Sequence, residues 1–249
     1  MHDKKVALIT GGARGIGLAS AKALKEDGFA IILADINEEA LAKATDELNP
    51  LSAITCDMGQ PDDVKQLFSQ INEEHGPLSA LVNNAGIALP GEFLTYSIED
   101  FERVLDVNVK GVFLATQLAA KSMIEHEIDG AVVNMSSVNA QVAIPGIPAY
   151  CASKGGVMQL TKSAAIALSK YKIRVNAVGP GSIDTEMLAG VNSNKKQMEI
   201  ALARTPLGRI GGVHEIANIV AFLCSSKASY ITGETIYADG GRLGLNYVV

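Results

Sequence analysis

Short, fully apolar runs alternate along this chain with longer amphipathic segments, and that alternation constrains the fold more than any other feature. "KVALIT" (5–10), "AIILAD" (30–35), "SAITCD" (52–57), "LSALVNNAG" (78–86), "AVVNMSS" (131–137), "IRVNAVGPG" (173–181) and "ETIYAD" (234–239) read as strands. Their apolar residues are contiguous, so both faces of each strand must be covered. Between them, 15–28, 37–48, 61–76, 98–126, 150–170 and 213–224 carry helical patterning, with Pro61 at one helix start and Gly28 at one helix end. Such alternation predicts an α/β fold, a doubly wound parallel sheet flanked by helices on both faces. No Pro/Ser-rich linker or long repeat interrupts the 249 residues, so a single domain (1–249) is expected. Residues 186–212, with "GVNSNKKQ" and "RTPLGRIGG", break the rhythm and predict a lid over a binding site.

Charge and composition narrow the partners. A net charge of -6 without a dense Lys/Arg run argues against nucleic acid or an anionic membrane surface. No apolar stretch is long enough for a signal peptide or a membrane span. The three cysteines, Cys56, Cys151 and Cys224, are odd in number and widely spaced, as expected of reduced thiols in a cytoplasmic protein. His2, His75, His126 and His214 make no metal-ligand spacing with them, so no metal site is expected.

"TGGARGIG" (10–17) joins the first strand to the first helix. Gly11, Gly15 and Gly17 allow a tight turn that either serves only the strand–helix connection or lets a pyrophosphate approach the helix N-terminus. The spacing is not the G-x-G-x-x-G of the commonest dinucleotide fingerprint. Asp35 ends the second strand, where a carboxylate can accept hydrogen bonds from adenosine ribose hydroxyls. At about 5 Å and an effective dielectric near 20, its charge opposes each charge of a 2′-phosphate by about 3 kcal/mol. Arg14 is the competing signal, but Ile36 and Asn37 add no cation. The balance favours NAD over NADP.

"TGGARGIG", "NNAG" (83–86), "NVKG" (108–111), Ser136-Ser137, "YCASK" (150–154), "NAVGPG" (176–181) and "GETIYADGG" (233–241) together resemble, in order and spacing, the short-chain dehydrogenase/reductase family, across essentially the whole chain. The resemblance implies a Rossmann-type seven-stranded parallel sheet, a homotetramer, and hydride transfer between a nicotinamide cofactor and an alcohol or carbonyl. It implies catalytic roles for Asn108, Ser137, Tyr150 and Lys154, with Asn108 helping to hold a proton-relay water and Ser136 supporting the backbone. It places the cofactor against Gly11, Arg14, Gly15, Ile16, Gly17, Asp35, Asp57, Met58, Asn83, Asn84, Ala85, Gly86, Tyr150, Lys154, Pro180, Gly181, Ile183 and Thr185. Asp57 resembles the carboxylate that contacts the adenine amino group. Cys151 departs from the pattern and reads as packing.

Tyr150 and Lys154 stand at i and i+4, on one helical face. A phenol with pKa near 10 needs about 4 kcal/mol to reach neutrality, roughly what an ammonium at about 4 Å supplies at an effective dielectric near 20. Tyr150 is then expected to act as general acid or base while Ser137 holds the same substrate oxygen. Substrate contacts are expected from Ser137, Asn139, Gln141, Tyr150 and Met187, with the loop polarity of Asn139 and Gln141 facing water as the competing reading. The first functional expectation is an NAD-dependent dehydrogenase of a small polyol, sugar or hydroxy acid. The alternative is a 3-oxoacyl-[acyl-carrier-protein] reductase using NADPH. Against the alternative, "KSMIEHEIDG" (121–130) presents Glu125, Glu127 and Asp129 to an acidic carrier. A catalytically inactive nucleotide-binding regulator is disfavoured by the intact Asn108, Ser137, Tyr150 and Lys154. A serine hydrolase is disfavoured because no His or acid is placed to activate Ser137. The apolar tail "LGLNYVV" (243–249) is expected to pack against a neighbouring subunit.

Overall fold

The computed structural model describes residues 5–186 and 195–244. Seven parallel strands form one sheet: β1 (Val6–Thr10), β2 (Ala30–Asp35), β3 (Ser52–Thr55), β4 (Ala80–Asn83), β5 (Ala131–Met135), β6 (Arg174–Pro180) and β7 (Thr235–Ala238). Their order is β3-β2-β1-β4-β5-β6-β7. Helices α1 (Gly15–Glu26), α2 (Glu38–Leu48), α3 (Pro61–Glu74), α4 (Ile98–Leu105), α5 (Val112–Glu125), α6 (Pro148–Leu168), α7 (Lys195–Ala203) and α8 (Val213–Cys224) complete the fold.

The inner strands β1, β4 and β5 are buried on both sides, as their unbroken apolar runs require, while the edge strands β3 and β7 are only half-buried. Ala7, Ile9 and Leu33 meet α1, α2 and α8 in one core, around Leu24, Leu41 and Ile216. Val6, Leu8 and Ile32 meet α3, α5 and α6 in the other, around Phe68, Met123 and Ala165. The chain order reverses between β1 and β4, which are hydrogen-bonded neighbours. Ligands of open α/β sheets bind in the crevice outside the carboxyl ends of strands at such a switch point.

One predicted element divides. The sequence pattern over 98–126 reads as a single helix, but Asp106–Gly111 form a π-helical turn between α4 and α5. Two contacts favour the extra residue. The Asn108 side chain bonds both backbone groups of Ile87, and Gly111 packs so close to Met58 that a Cβ would lie 2.3 Å from the Met58 carbonyl oxygen. Most of the remaining strand and helix ends fall within a residue or two of expectation, as fraying ends do. Residues 187–194 of the expected lid, Met187 among them, and 245–249 of the apolar tail lie outside the described residues. Among the described residues no helix is long and apolar enough to cross a membrane, and no cluster of His, Cys, Asp or Glu is arranged to hold a metal.

Candidate active site

The glycine turn leaves β1 and enters α1 with its backbone clamped from β4. The Asn84 amide donates to the carbonyls of Thr10 (3.1 Å) and Gly11 (2.8 Å). The Thr10 hydroxyl accepts from the backbone N–H groups of Asn84 (3.1 Å) and Ala85 (3.2 Å). A Cβ on Gly11 would stand 2.8 Å from Ala85 Cα, and one on Gly17 would stand 2.0 Å from the Gly11 carbonyl oxygen. Those two glycines serve close backbone packing. Gly11 and Gly15 both have positive φ, +60° and +53°, but Gly15 has more room: a Cβ there would face Thr185 across 3.6 Å. At the start of α1 the N-cap residue, Arg14, makes no side-chain cap, and the first turn carries no acidic residue. The start of a helix without a capping side chain offers its N–H groups and the positive end of its dipole to an anion. A cradle shaped by absent side chains and lined by such N–H groups fits a dinucleotide pyrophosphate.

Asp35 ends β2 against this turn and is 7% exposed. Its carboxylate accepts from the N–H of Ala13 (3.1 Å) and of Asn37 (3.0 Å), so it shapes the turn as well as presenting a charge. Asp57 follows β3. Its carboxylate is held by Arg103 of α4, at 2.9 and 3.1 Å, and accepts from the Gly59 N–H at 2.8 Å. The Met58 and Ile183 side chains are buried in the two cores. Ile16 packs partly against the core of α1. Gly181 donates its N–H to Ala238, and the Thr185 hydroxyl donates to the Ile183 carbonyl, which sets the turn after β6 beside the glycine turn.

Ser137, Tyr150, Lys154 and Asn108 come together beyond the ends of β4 and β5. Lys154 is 4% exposed and donates from Nζ to the Met135 carbonyl at 2.7 Å. Its Nζ lies 5.4 Å from the centre of the Tyr150 ring. A Cβ on Gly86 would fall 3.3 Å from Asn108 Oδ1 and 3.5 Å from Lys154 Nζ, so this glycine gives both groups their room. Asn108 is fully buried and committed: Nδ2 donates to the Ile87 carbonyl (2.9 Å) and to Ser153 Oγ (3.0 Å), and Oδ1 accepts from the Ile87 N–H (2.9 Å). The Ser153 hydroxyl in turn donates to the Tyr150 carbonyl at 2.7 Å. The Ser136 hydroxyl donates to the Lys154 carbonyl at 3.2 Å, the backbone support expected of it.

Electrostatics at this centre differ from the expectation that the ammonium brings the phenol to neutrality. Burial pushes the Tyr150 phenol above its ordinary value; hydrogen bonding with Ser137 opposes that rise, and Cys151 adds to it. Lys154 is itself desolvated, and its ammonium is pulled down from 10.5 to about 8. The Lys154 ammonium is spent on the Met135 carbonyl rather than on the phenol oxygen. In the protein alone the phenol is therefore the protonated, acid form at neutral pH.

The expected substrate residues separate. Ser137 and Tyr150 share the centre. Asn139 is buried, with its amide 3.9 Å from Cys151 Sγ. Gln141 is turned to Met158 Sδ at 3.2 Å. Gln141 stands exposed on its loop. Thr10, Arg103, Ser153 and Glu186 are site neighbours that the sequence reading did not single out. Their partners are distant in the chain or, for Ser153, hidden inside "YCASK".

Comparison with known proteins agrees with this geometry. A family model described as enoyl-(acyl carrier protein) reductase matches residues 11–242. The 3-oxoacyl-[acyl-carrier-protein] reductase FabG of Thermotoga maritima is 39% identical over 243 residues, which are 96% of this chain and 98% of that protein. A 3alpha-hydroxysteroid dehydrogenase of Mediterraneibacter gnavus is 40% identical over 249 residues, covering 96% of this chain and 97% of that one. A solved gluconate 5-dehydrogenase from Burkholderia cenocepacia, in complex with NADP and tartrate, superposes with a TM-score of 0.91 at 33% identity, covering 98% of this chain and 96% of that chain. With the seven-stranded parallel sheet, the glycine turn and the Tyr150–Lys154 pair, these likenesses establish that the chain belongs to the short-chain dehydrogenase/reductase family.

Proposed function

We propose that the protein transfers a hydride between NAD(H) and the carbon of a secondary alcohol or ketone, with Tyr150 as general acid or base. The observation that carries this reading is the convergence of Ser137, Tyr150 and Lys154 beside a glycine cradle that leads into α1. A bound nicotinamide dinucleotide supplies the hydride donor or acceptor. The first turn of α1 would hold its pyrophosphate, Asp35 its adenosine ribose, Asp57 and Asn84–Gly86 its adenine side, and Pro180–Thr185 its nicotinamide end. Ser137 hydrogen-bonds the substrate oxygen. In reduction Tyr150 delivers its proton to that oxygen; in oxidation it removes the hydroxyl proton. Lys154, held rigidly by Met135, orients the ribose and biases the phenol toward giving up its proton.

For the substrate, the geometry supports a ketone or secondary alcohol on an apolar body, such as a 3-oxoacyl thioester, ahead of the polyol expected from sequence. Asn139 and Gln141 are engaged by sulfur atoms, and a pocket of about 470 Å³ beside the 141–147 loop is lined by Pro90, Gly91, Glu92, Phe93, Pro145 and Gly146. The 39% identity to FabG and the 40% identity to the steroid dehydrogenase point the same way. Exposed Glu125, Glu127 and Asp129 favour a small thioester over one borne by an acidic carrier. A small hydroxy acid or polyol is the second reading, favoured by the likeness to gluconate 5-dehydrogenase. The test is a panel of 3-oxoacyl thioesters, steroid ketones, polyols and hydroxy acids, each with NAD(H) and NADP(H). The expected result is a higher kcat/KM for the apolar ketones with NADH. Turnover confined to gluconate-like acids would overturn the substrate reading, and strong NADPH preference would overturn the role of Asp35.

We further infer one cytoplasmic catalytic domain, with 186–212 covering the substrate side, assembled as a homotetramer. The free thiols of Cys56, Cys151 and Cys224 support the compartment. Phe113 on α5 and Ile166 on α6 are 49% and 79% exposed, which supports an interface on those helices. Light scattering is expected to give four times the chain mass, and a clean monomer would refute the assembly.

A further inference from the structure

Selectivity between the two dinucleotides is usually sought in the residues that follow the second strand. Here those residues bring no cation: Ile36 is exposed and apolar, and the Asn37 side chain is used to cap α2, accepting from the Ala40 N–H at 2.8 Å. The cation near this end of the cleft is Arg14, in the glycine turn. It follows Ala13, whose N–H is bonded to Asp35, so the Asp35 carboxylate and the Arg14 backbone are fixed to each other. The Arg14 guanidinium, however, is taken from the opposite wall. Its Nη1 forms an ion pair with Glu186 Oε2, from the segment that follows Thr185.

This pairing sets the local charge. The Arg14–Glu186 pair is neutral, which leaves the charge of Asp35 uncompensated where the adenosine ribose would lie. A phosphate monoester brings close to two further negative charges at neutral pH. With Glu186 removed, Arg14 and Asp35 cancel, and the guanidinium is free to form a charge-assisted bond to a phosphate. An ion pair between two largely exposed side chains contributes little to stability. Its consequence lies in which anion Arg14 is available to meet.

We propose that Glu186 is a specificity-determining residue: by holding Arg14 across the cleft it leaves the charge of Asp35 uncompensated and turns the site against a 2′-phosphate. This rests on the reading that Asp35 faces the adenosine ribose, and it assigns to Glu186 a part of the NAD preference otherwise given to Asp35 alone.

Calorimetric binding of 5′-ADP and of 2′,5′-ADP to the full-length protein tests it at low ionic strength. The proteins compared are wild type, Glu186→Gln, Arg14→Ala and the double variant. Glu186→Gln is expected to tighten 2′,5′-ADP about fivefold relative to 5′-ADP, the scale of one exposed ion pair. The gain should shrink in high salt, where exposed charges are screened. It should vanish when Arg14 is already Ala. No relative gain in Glu186→Gln, or an equal gain in the Arg14→Ala background, would overturn the proposal, the latter because Glu186 would then act as a bare charge. A wild type that binds 2′,5′-ADP more tightly than 5′-ADP would instead overturn the NAD preference. The comparison of the Glu186 effect with and without Arg14 decides the role of Glu186 in either case.

Discussion

Tyr150→Phe is expected to lower turnover roughly 10³-fold while the dinucleotide still binds, within about twofold of wild type. The substitution removes only the hydroxyl. The ring keeps its place on α6, and the Tyr150 carbonyl keeps its bond from Ser153. What disappears is the proton donor beside Ser137. Because burial holds the phenol above its ordinary value, wild type carries the acid form at neutral pH. Carbonyl reduction should therefore be nearly flat from about pH 6 to 7.5, since protonated Tyr150 is already the reactive form. Alcohol oxidation should rise with pH across the same range, because it draws on the minor phenolate. Above about pH 8 Lys154 loses its own proton, and the aid its charge gives the phenolate fades, so the rise should bend. In Tyr150→Phe the residual rate should lose both features. Steady-state rates in each direction, with dinucleotide binding followed by fluorescence, decide it. Turnover within tenfold of wild type would sink the mechanism.

The same lysine shows how sequence reasoning brings Tyr150 and Lys154 to one face and misses the partner the ammonium takes. The i, i+4 spacing puts Tyr150 and Lys154 on one face, and that much is dictated by helical geometry. Which partner the ammonium takes is decided by Met135 at the end of β5, and the cost of burying it follows from packing that no local pattern encodes. Strands were legible because residues covered on both sides leave long apolar runs. The π-helical turn was not, because one extra residue per turn does not disturb the apolar pattern of 98–126; its causes, Ile87 and Met58, lie elsewhere in the chain. Arg103 escaped notice for the same reason, since its partner Asp57 stands 46 residues away. Polarity alone suggests Asn139 and Gln141 as ligands of a hydroxylated substrate. Their engagement by Cys151 and Met158 depends on how the loop folds back on α6.

Gly17→Ala should be the most damaging small substitution in the cofactor cradle, and for a steric reason alone. Gly17 lies within α1 and has an ordinary backbone conformation, so alanine would by itself favour the helix by up to about 1 kcal/mol. Against that, the new Cβ would fall 2.0 Å from the Gly11 carbonyl oxygen and 2.6 Å from Asn84 Nδ2. Neither can retreat alone. The Gly11 carbonyl accepts from Asn84, and Asn84 also holds the Thr10 carbonyl, so relieving the contact means opening the clamp between β1 and β4. Overpacking of this kind costs about 1–3 kcal/mol. For a chain of this size that corresponds to a fall in Tm of roughly 2–4 °C per kcal/mol. Dinucleotide affinity should fall further, by at least about tenfold, because the N–H groups at the start of α1 move with the turn. Gly28→Ala is the control: its φ is +86° and nothing lies within 4 Å of the added Cβ, so it should lower Tm through backbone strain while leaving affinity unchanged. Thermal unfolding with and without saturating NAD, together with calorimetric Kd values, separates the two effects. If Gly17→Ala lost stability but kept wild-type affinity, the glycine turn would be a structural connection only, and the dinucleotide would have to be sought elsewhere along the carboxyl ends of the strands.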